Sequence, residues 1–143
     1  MTDKIILLVE DNPDDEQLAV RALKRNNVVN KIVVARDGQA ALDHLLDERQ
    51  PLPTLVLLDL KLPKVSGLEV LQKLRTTERT AILPVVMLTS SKEEQDLLES
   101  YRSGCNSYIR KPVDFGQFAE AIRQLKVYWL VINEGPPKNG KSK

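Results

Sequence analysis

The stretch Leu55-Val56-Leu57-Leu58-Asp59-Leu60-Lys61-Leu62-Pro63 limits the possible folds of this chain more than any other. Four apolar residues run straight into one carboxylate, with neither a helical nor an alternating period, between Pro53 and Pro63. Such a run reads as a strand buried on both faces, as in a parallel sheet covered by helices. A strand of that kind delivers its last residue to the carboxyl edge of the sheet, where open α/β folds bind ligands. The pattern therefore predicts that Asp59 stands on a rigid element at a functional edge. Taken alone, an acid at this place fits a turn cap equally well, so the assignment depends on the rest of the chain.

Similar runs recur. Ile5 to Val9 is a buried-strand pattern that ends on Glu10 and Asp11. Asn12 then reads as a helix N-cap, with Pro13 at the first helical position, acids in the first turn, and Leu18, Ala19, Ala22 and Leu23 as an apolar stripe. Ile32 to Ala35 is a short strand, and Asp37-Gly38 opens a helix with the stripe Ala41, Leu42 and Leu45. After Pro63, Ser66 and Glu69 have capping-box spacing ahead of Leu68, Leu71 and Leu74. Pro84 to Leu88 is the fourth strand, ending on Thr89-Ser90. Ser91 and Glu94 form a second capping-box pattern before a helix that carries Leu97, Leu98 and Tyr101 and stops near Gly104, a natural left-handed C-terminal residue. Ser107 to Arg110 is a fifth strand leading to Lys111-Pro112.

Strand and helix signals thus alternate five times, which predicts an α/β fold: a doubly wound, five-stranded parallel sheet with helices on both faces, flavodoxin-like, in the order 2-1-3-4-5. A last helix is expected from near Asp114 to about Ile132. One domain then spans residues 1–132, and residues 133–143, with Pro136-Pro137 and several lysines, read as a disordered tail.

With 143 residues, the chain suffices for one domain and is too short for two ordinary ones. A net charge of +1 supplies no electrostatic footprint for nucleic acid or an acidic membrane surface. Cys105 is the only cysteine, so no intramolecular disulfide forms. The opening apolar run is too short for a signal-peptide core or a bilayer span, and a soluble cytoplasmic protein is expected.

In this fold the ends of the strands collect Glu10, Asp11, Asp59, Thr89 and Lys111 on one edge. Neighbouring carboxylates repel one another, and a divalent cation removes that penalty. Oxygen-only ligands at an open edge suit Mg²⁺, which takes one or two carboxylates and keeps several waters. Three acids, a hydroxyl and a lysine are also parts for phosphoryl transfer: a carboxylate nucleophile, a site for a metal, and donors for the phosphoryl oxygens. Each residue alone has a bland reading, as a turn, a cap or solvated surface. Their joint occurrence at the ends of different strands is harder to reach by chance.

These residues carry a resemblance. Leu8-Val9-Glu10-Asp11, Leu57 to Pro63 with Gly67 following, Leu88-Thr89-Ser90 and Tyr108-Ile109-Arg110-Lys111-Pro112 are similar to the motifs of two-component response-regulator receiver domains, over about residues 4 to 128. The resemblance implies that Asp59 is the phosphoacceptor. It implies that Asp11, Asp59 and the backbone carbonyl of Lys61 bind Mg²⁺, with Glu10 acting through a metal-bound water. Thr89 and Lys111 would contact the phosphoryl group, the Lys111–Pro112 peptide would be cis, and Tyr108 would be an aromatic switch coupled to Thr89. Glu10 stands where the family more often has Asp. Lys61 and Ser90 occupy the two variable positions beside the phosphate.

The implied function is that of a stand-alone, non-enzymatic response regulator. It is phosphorylated by a sensor histidine kinase and signals through phosphorylation-dependent contacts to a separate partner. Val127, Tyr128, Leu130 and Val131 lie off the main apolar stripe of the last helix, and a patch of that size normally marks an interface. Together with the Tyr-Trp pair and the following Pro-Pro, this resembles single-domain regulators associated with bacterial phytochromes. It implies a phytochrome-type kinase and a homodimer whose interface includes Tyr128, Trp129 and Val131. Two other classes are weighed. A phosphohydrolase with an aspartyl nucleophile usually has a second Asp two residues on, where this chain has Lys61. A pseudo-receiver would not need the full set of Glu10, Asp11, Asp59, Thr89 and Lys111.

Three further signals carry no function. Gly135 to Ser142 matches the P-loop pattern by letter, yet it follows a helix pattern and contains two prolines. His44 has no second histidine with which to build a metal site. Cys105 reads as a small packed residue.

Overall fold

The computed structural model describes residues 5–25, 31–89 and 93–110, together with Gly116, Glu120 and Arg123, which are helical. The apolar runs become strands β1 (Ile5–Val9), β2 (Lys31–Ala35), β3 (Leu55–Asp59), β4 (Val85–Thr89) and β5 (Ser107–Arg110). They alternate with helices α1 (Pro13–Arg25), α2 (Gly38–Leu45), α3 (Gly67–Arg75) and α4 (Glu94–Arg102), and a 3-10 turn at Glu78–Thr80 precedes β4. All pairings are parallel and the sheet order is β2-β1-β3-β4-β5. The expected doubly wound fold is what forms.

β1, β3 and β4 are covered on both sides, which is why they read as unbroken apolar runs. Because successive side chains on a strand point to opposite faces, each run splits by parity. Leu7, Val9, Val56, Leu58, Val85 and Met87 pack with Ala41 and Leu45 of α2 and Val70, Leu71 and Leu74 of α3. Ile6, Leu8, Leu55, Leu57, Val86 and Leu88 pack with Ala19, Ala22 and Leu23 of α1. Among the described residues no helix is long and apolar enough to cross a membrane.

The helix starts follow from their caps. Asn12 Oδ1 accepts from the Asp14 and Asp15 amides at 2.9 and 3.1 Å. The Asp37 side chain accepts from the Ala40 amide at 2.7 Å. Ser66 and Glu69 complete a capping box. The fourth helix differs from expectation. It starts at Glu94, with Glu93 at the cap position and no side-chain cap bond there, so the Ser91–Glu94 spacing does not set its start; Ser91 itself lies outside the described residues. Its apolar residues are also less buried than a stripe predicts. Leu98 and Tyr101 are 49% and 50% exposed, and the position buried in this helix is Ser100. In α3, Val70 is buried and Leu68 only half-buried. His44 is half-buried. Cys105 is a packed core residue, as read.

Candidate functional site

Parallel register brings the chemistry together. Val9 pairs with Leu58 and Asp59 pairs with Leu88, so the residues after β1 come level with the ends of β3 and β4. The Glu10 amide donates to the Ala35 carbonyl at 3.0 Å and the Leu60 amide to the Leu88 carbonyl at 3.2 Å, which carries the ladder one step past the strands. The result is a cluster of Glu10, Asp11 and Asp59 in which one carboxylate oxygen from each lies within 4.8 Å of the others. Glu10 and Asp59 are only 2% and 7% exposed, whereas Asp11 is open to solvent. Thr89 is fully buried at the end of the adjacent strand β4.

Backbone groups position two of the acids. The Asn12 amide donates to Glu10 Oε2 at 3.3 Å, and the Lys61 amide donates to Asp59 Oδ1 at 3.3 Å. Gly67 closes the loop behind Asp59, its amide donating to the Leu60 carbonyl at 2.8 Å. A Cβ at Gly67 would lie 2.9 Å from the carbonyl carbon of Asp59 and closer still to its oxygen, so a side chain there would push the acid's own backbone. An open groove beside the carboxylates is lined by Asp11, Lys61, Leu62, Pro63, Leu68 and Asp96, among others.

The donor set can be tested against a small hard cation. Oxygens sharing one Mg²⁺, at about 2.0–2.1 Å each, stand up to about 4 Å apart. Three acidic oxygens within 4.8 Å of one another, one of them facing water, need to close by less than about 1 Å to share a partly hydrated dication, a side-chain adjustment that leaves the sheet in place. Two of the acids are buried, which gives a cation a further role, because like charges removed from water are costly.

Of the residues expected at the site, Glu10, Asp11, Asp59 and Thr89 stand at the carboxyl edge of the sheet. Lys61 follows Asp59 in the loop. Tyr108 lies on β5 opposite Met87, half-buried, and packs against the core shared with α2 and α3. Lys111, Pro112 and Ser90 lie outside the described residues, as do Tyr128, Trp129 and Val131, the expected last helix apart from Gly116, Glu120 and Arg123, and the tail. Two features were not visible in the linear sequence. Asp96 reaches the groove from the first turn of α4, a turn already rich in acids that reads as ordinary helix-start chemistry. Gly67 is part of the β3 motif, but its steric reason appears only once the loop is folded back on Asp59.

Comparison with known proteins agrees with this geometry. Residues 6–123 match the family profile described as "Response regulator receiver domain". The chain is 45% identical over 135 residues to the "Probable methanogenesis regulatory protein FilR2" of Methanothrix harundinacea (strain 6Ac), covering 92% of this chain and 87% of that protein. It is 36% identical over 131 residues to "Response regulator Rcp1" of Synechocystis sp., covering 89% of each chain. The Mn²⁺-bound crystal structure of Rcp1 superposes with a TM-score of 0.84, over 94% of this chain and 99% of that one. The bacteriophytochrome response regulator AtBRR is 51% identical, with a TM-score of 0.74 over 94% of this chain and all 100% of that chain.

Proposed function

Because the chain belongs to the response regulator receiver family, in which phosphorylation on an aspartate is typical, we propose that Asp59 accepts a phosphoryl group from a sensor histidine kinase. The observation that carries this reading is the convergence of Glu10, Asp11 and Asp59 at adjoining strand ends. In the transfer, an Asp59 carboxylate oxygen forms a bond to phosphorus as the bond from phosphorus to the imidazole nitrogen of the kinase breaks. The products are an acyl phosphate and a free imidazole. Asp59 suits the nucleophile's role because it ends a fully buried strand and its position is fixed by Lys61 and Gly67. Thr89 and Lys111 are assigned to the transferred oxygens, one as a hydroxyl donor and one as an ammonium.

Asp11, Asp59 and the Lys61 carbonyl would hold Mg²⁺, with Glu10 acting through a bound water. When bound, the cation offsets the charge of the acids and of the phosphoryl oxygens. Manganese in the crystal structure of Rcp1 supports a dication at such a site.

Output follows from the charge change. A dianionic group placed beside Thr89 biases the surface formed by β4, α4 and β5, with Tyr108 as the switching side chain. The partner that reads this surface is a protein, and a homodimer built on Tyr128, Trp129 and Val131 completes the proposal. The likeness to the bacteriophytochrome response regulator AtBRR favours a phytochrome-type kinase as the donor. The protein acts in the cytoplasm and catalyses nothing beyond its own phosphorylation and dephosphorylation.

Incubation with acetyl phosphate and Mg²⁺ tests the core of this reading. The expected result is a mass gain of one phosphoryl group that is lost in alkali, and is absent both in Asp59→Asn and in the presence of chelator. Labelling of Asp59→Asn at the wild-type rate overturns the assignment.

A further inference from the structure

The loop after β3, residues 60–66, carries a conformation that needs an explanation. Lys64 has φ of 68°, the only non-glycine residue with positive φ among those described. The Val65 amide donates to the Pro63 carbonyl at 2.8 Å, two residues back, which with that φ makes a classic γ-turn, a rare and strained form. Strain of this kind persists only where surrounding structure over-determines it.

The surrounding structure here is the start of α2. The Gly38 amide donates to the Pro63 carbonyl at 3.3 Å, so that carbonyl receives bonds from both sides of the turn. Gly38 is buried, and a Cβ on it would lie 2.6 Å from the carbonyl carbon of Val65, 2.8 Å from its Cβ, and closer than either to its carbonyl oxygen. Lys64 Nζ is 3.6 Å from Asp37 Oδ2. Asp37 is itself fixed as the cap of α2 by the Ala40 amide, and that bond first, with the Lys64 ammonium assisting, keeps its carboxyl below the usual range. The β2–α2 turn therefore touches the loop at three consecutive residues, Pro63, Lys64 and Val65. From the other end the loop is closed by Gly67 against Asp59 and Leu60.

We propose that Asp37 and Gly38 are positioning residues for the phosphorylation site: they clamp the γ-turn at Lys64 and thereby set where the Lys61 backbone is presented to a divalent cation beside Asp59. The clamp rests on the reading of the acidic cluster as a Mg²⁺ site. It touches neither the cation nor the carboxylates. It acts only through the backbone of residues 61–65, so its loss moves metal affinity with all three acids intact.

Calorimetric titration with MgCl₂ alone, on the full chain, separates the possibilities. Gly38→Ala is expected to weaken Mg²⁺ binding roughly 10–100-fold, the range typical when a group supporting a metal ligand is lost. Lys64→Gly is the second variant. Glycine accepts positive φ without cost, so its metal-free melting temperature should equal or exceed that of the wild type. It loses the ion pair to Asp37, and its Mg²⁺ affinity should fall on the order of threefold, about what an exposed pair is worth. Lower affinity at undiminished stability is something a purely structural role would not produce. If Gly38→Ala does not fold, Lys64→Gly decides the matter. Wild-type affinity in the folded variants overturns the clamp and leaves the site reading standing. A wild-type protein that binds no Mg²⁺, or Asp59→Asn that binds it undiminished, overturns the site reading and the clamp with it.

Discussion

Asp59→Asn tests the acidic cluster without any phosphodonor. The substitution keeps the side chain's shape and leaves an oxygen to accept the Lys61 amide, so what it removes is one charge. Glu10 and Asp59 are both buried, and their nearest acidic oxygens are no more than 4.8 Å apart. At that separation, with an effective dielectric of about 20, two unit charges repel by about 3.5 kcal/mol. The hydrogen bonds these carboxylates accept, those from the Asn12 and Lys61 amides among them, offset part of this repulsion. The pair of Asp59 with solvent-exposed Asp11 adds less, since water raises the effective dielectric around an exposed charge. A net gain of about 1–2 kcal/mol is expected for metal-free Asp59→Asn, a rise of roughly 3–6 °C in melting temperature for a chain of this size. Thermal melts in chelator and in millimolar Mg²⁺ make the measurement. Mg²⁺ should raise the wild-type melting temperature and leave that of the variant nearly unchanged, because ligand stabilisation scales with binding to the native state. A metal-free variant less stable than the wild type, or an equal response of both to Mg²⁺, would refute the idea that these acids share a cation.

Three other expectations follow from single residues. Ser100 is fully buried in α4 and its hydroxyl has no hydrogen-bond partner among the described residues, so Ser100→Ala should raise stability by about 1 kcal/mol in urea unfolding. Burial pushes the Cys105 thiol up to about 11 from 9.0; the unfolded thiol therefore ionises first, and the stability this residue contributes is full below pH 9.0 and lost as pH rises through about 11, a decline that Cys105→Ala should lack. The Asp37 carboxyl is depressed below 3.8, chiefly by the Ala40 amide, so Asp37→Ala should melt lower at neutral pH and the gap should close as pH falls through the folded-state value, measured by melts across the acid range.

What the sequence reveals here is what depends on near neighbours. β1, β3 and β4 are legible because a strand covered on both faces must be apolar at every position, and Ile5 to Val9, Leu55 to Leu58 and Val85 to Leu88 are. The starts of α1, α2 and α3 are legible because a cap bonds an amide two or three residues on, well inside the reach of a local pattern. The site inherits this legibility: Glu10, Asp11, Asp59 and Thr89 each end or follow a recognisable strand, and parallel pairing then leaves one place for them to meet. α4 breaks the pattern for a physical reason. The Ser91–Glu94 spacing meets the local rule, but the helix begins at Glu94 without a side-chain cap, and its half-exposed Leu98 and Tyr101 look apolar to a reader who cannot see the surface.

The contacts that hold the loops join partners distant in the chain, and no local period reports them. Arg75 Nε donates to the Gly104 carbonyl at 2.9 Å and its guanidinium to Asn106 Oδ1 at 3.1 Å, tying the end of α3 to the turn before β5. Asn106 Oδ1 also accepts the Val85 amide at 2.8 Å, so the same oxygen serves β4. Arg79 donates to the carbonyls of Leu45, Asp47 and Gln50, closing the loop between α2 and β3. In the sequence these arginines look like surface charge, since a guanidinium with five donors finds partners wherever carbonyls are left over by a turn. Gly38 and Gly67 are harder still to read. Their role is to have no side chain where another segment's carbonyl must pass, and that segment lies, for Gly38, at Val65. The strand pattern thus shows which acid ends the central strand, while the geometry of the loop that follows it resides in contacts across the fold. For that reason a single methyl group at Gly38 is expected to be felt at a site it does not touch.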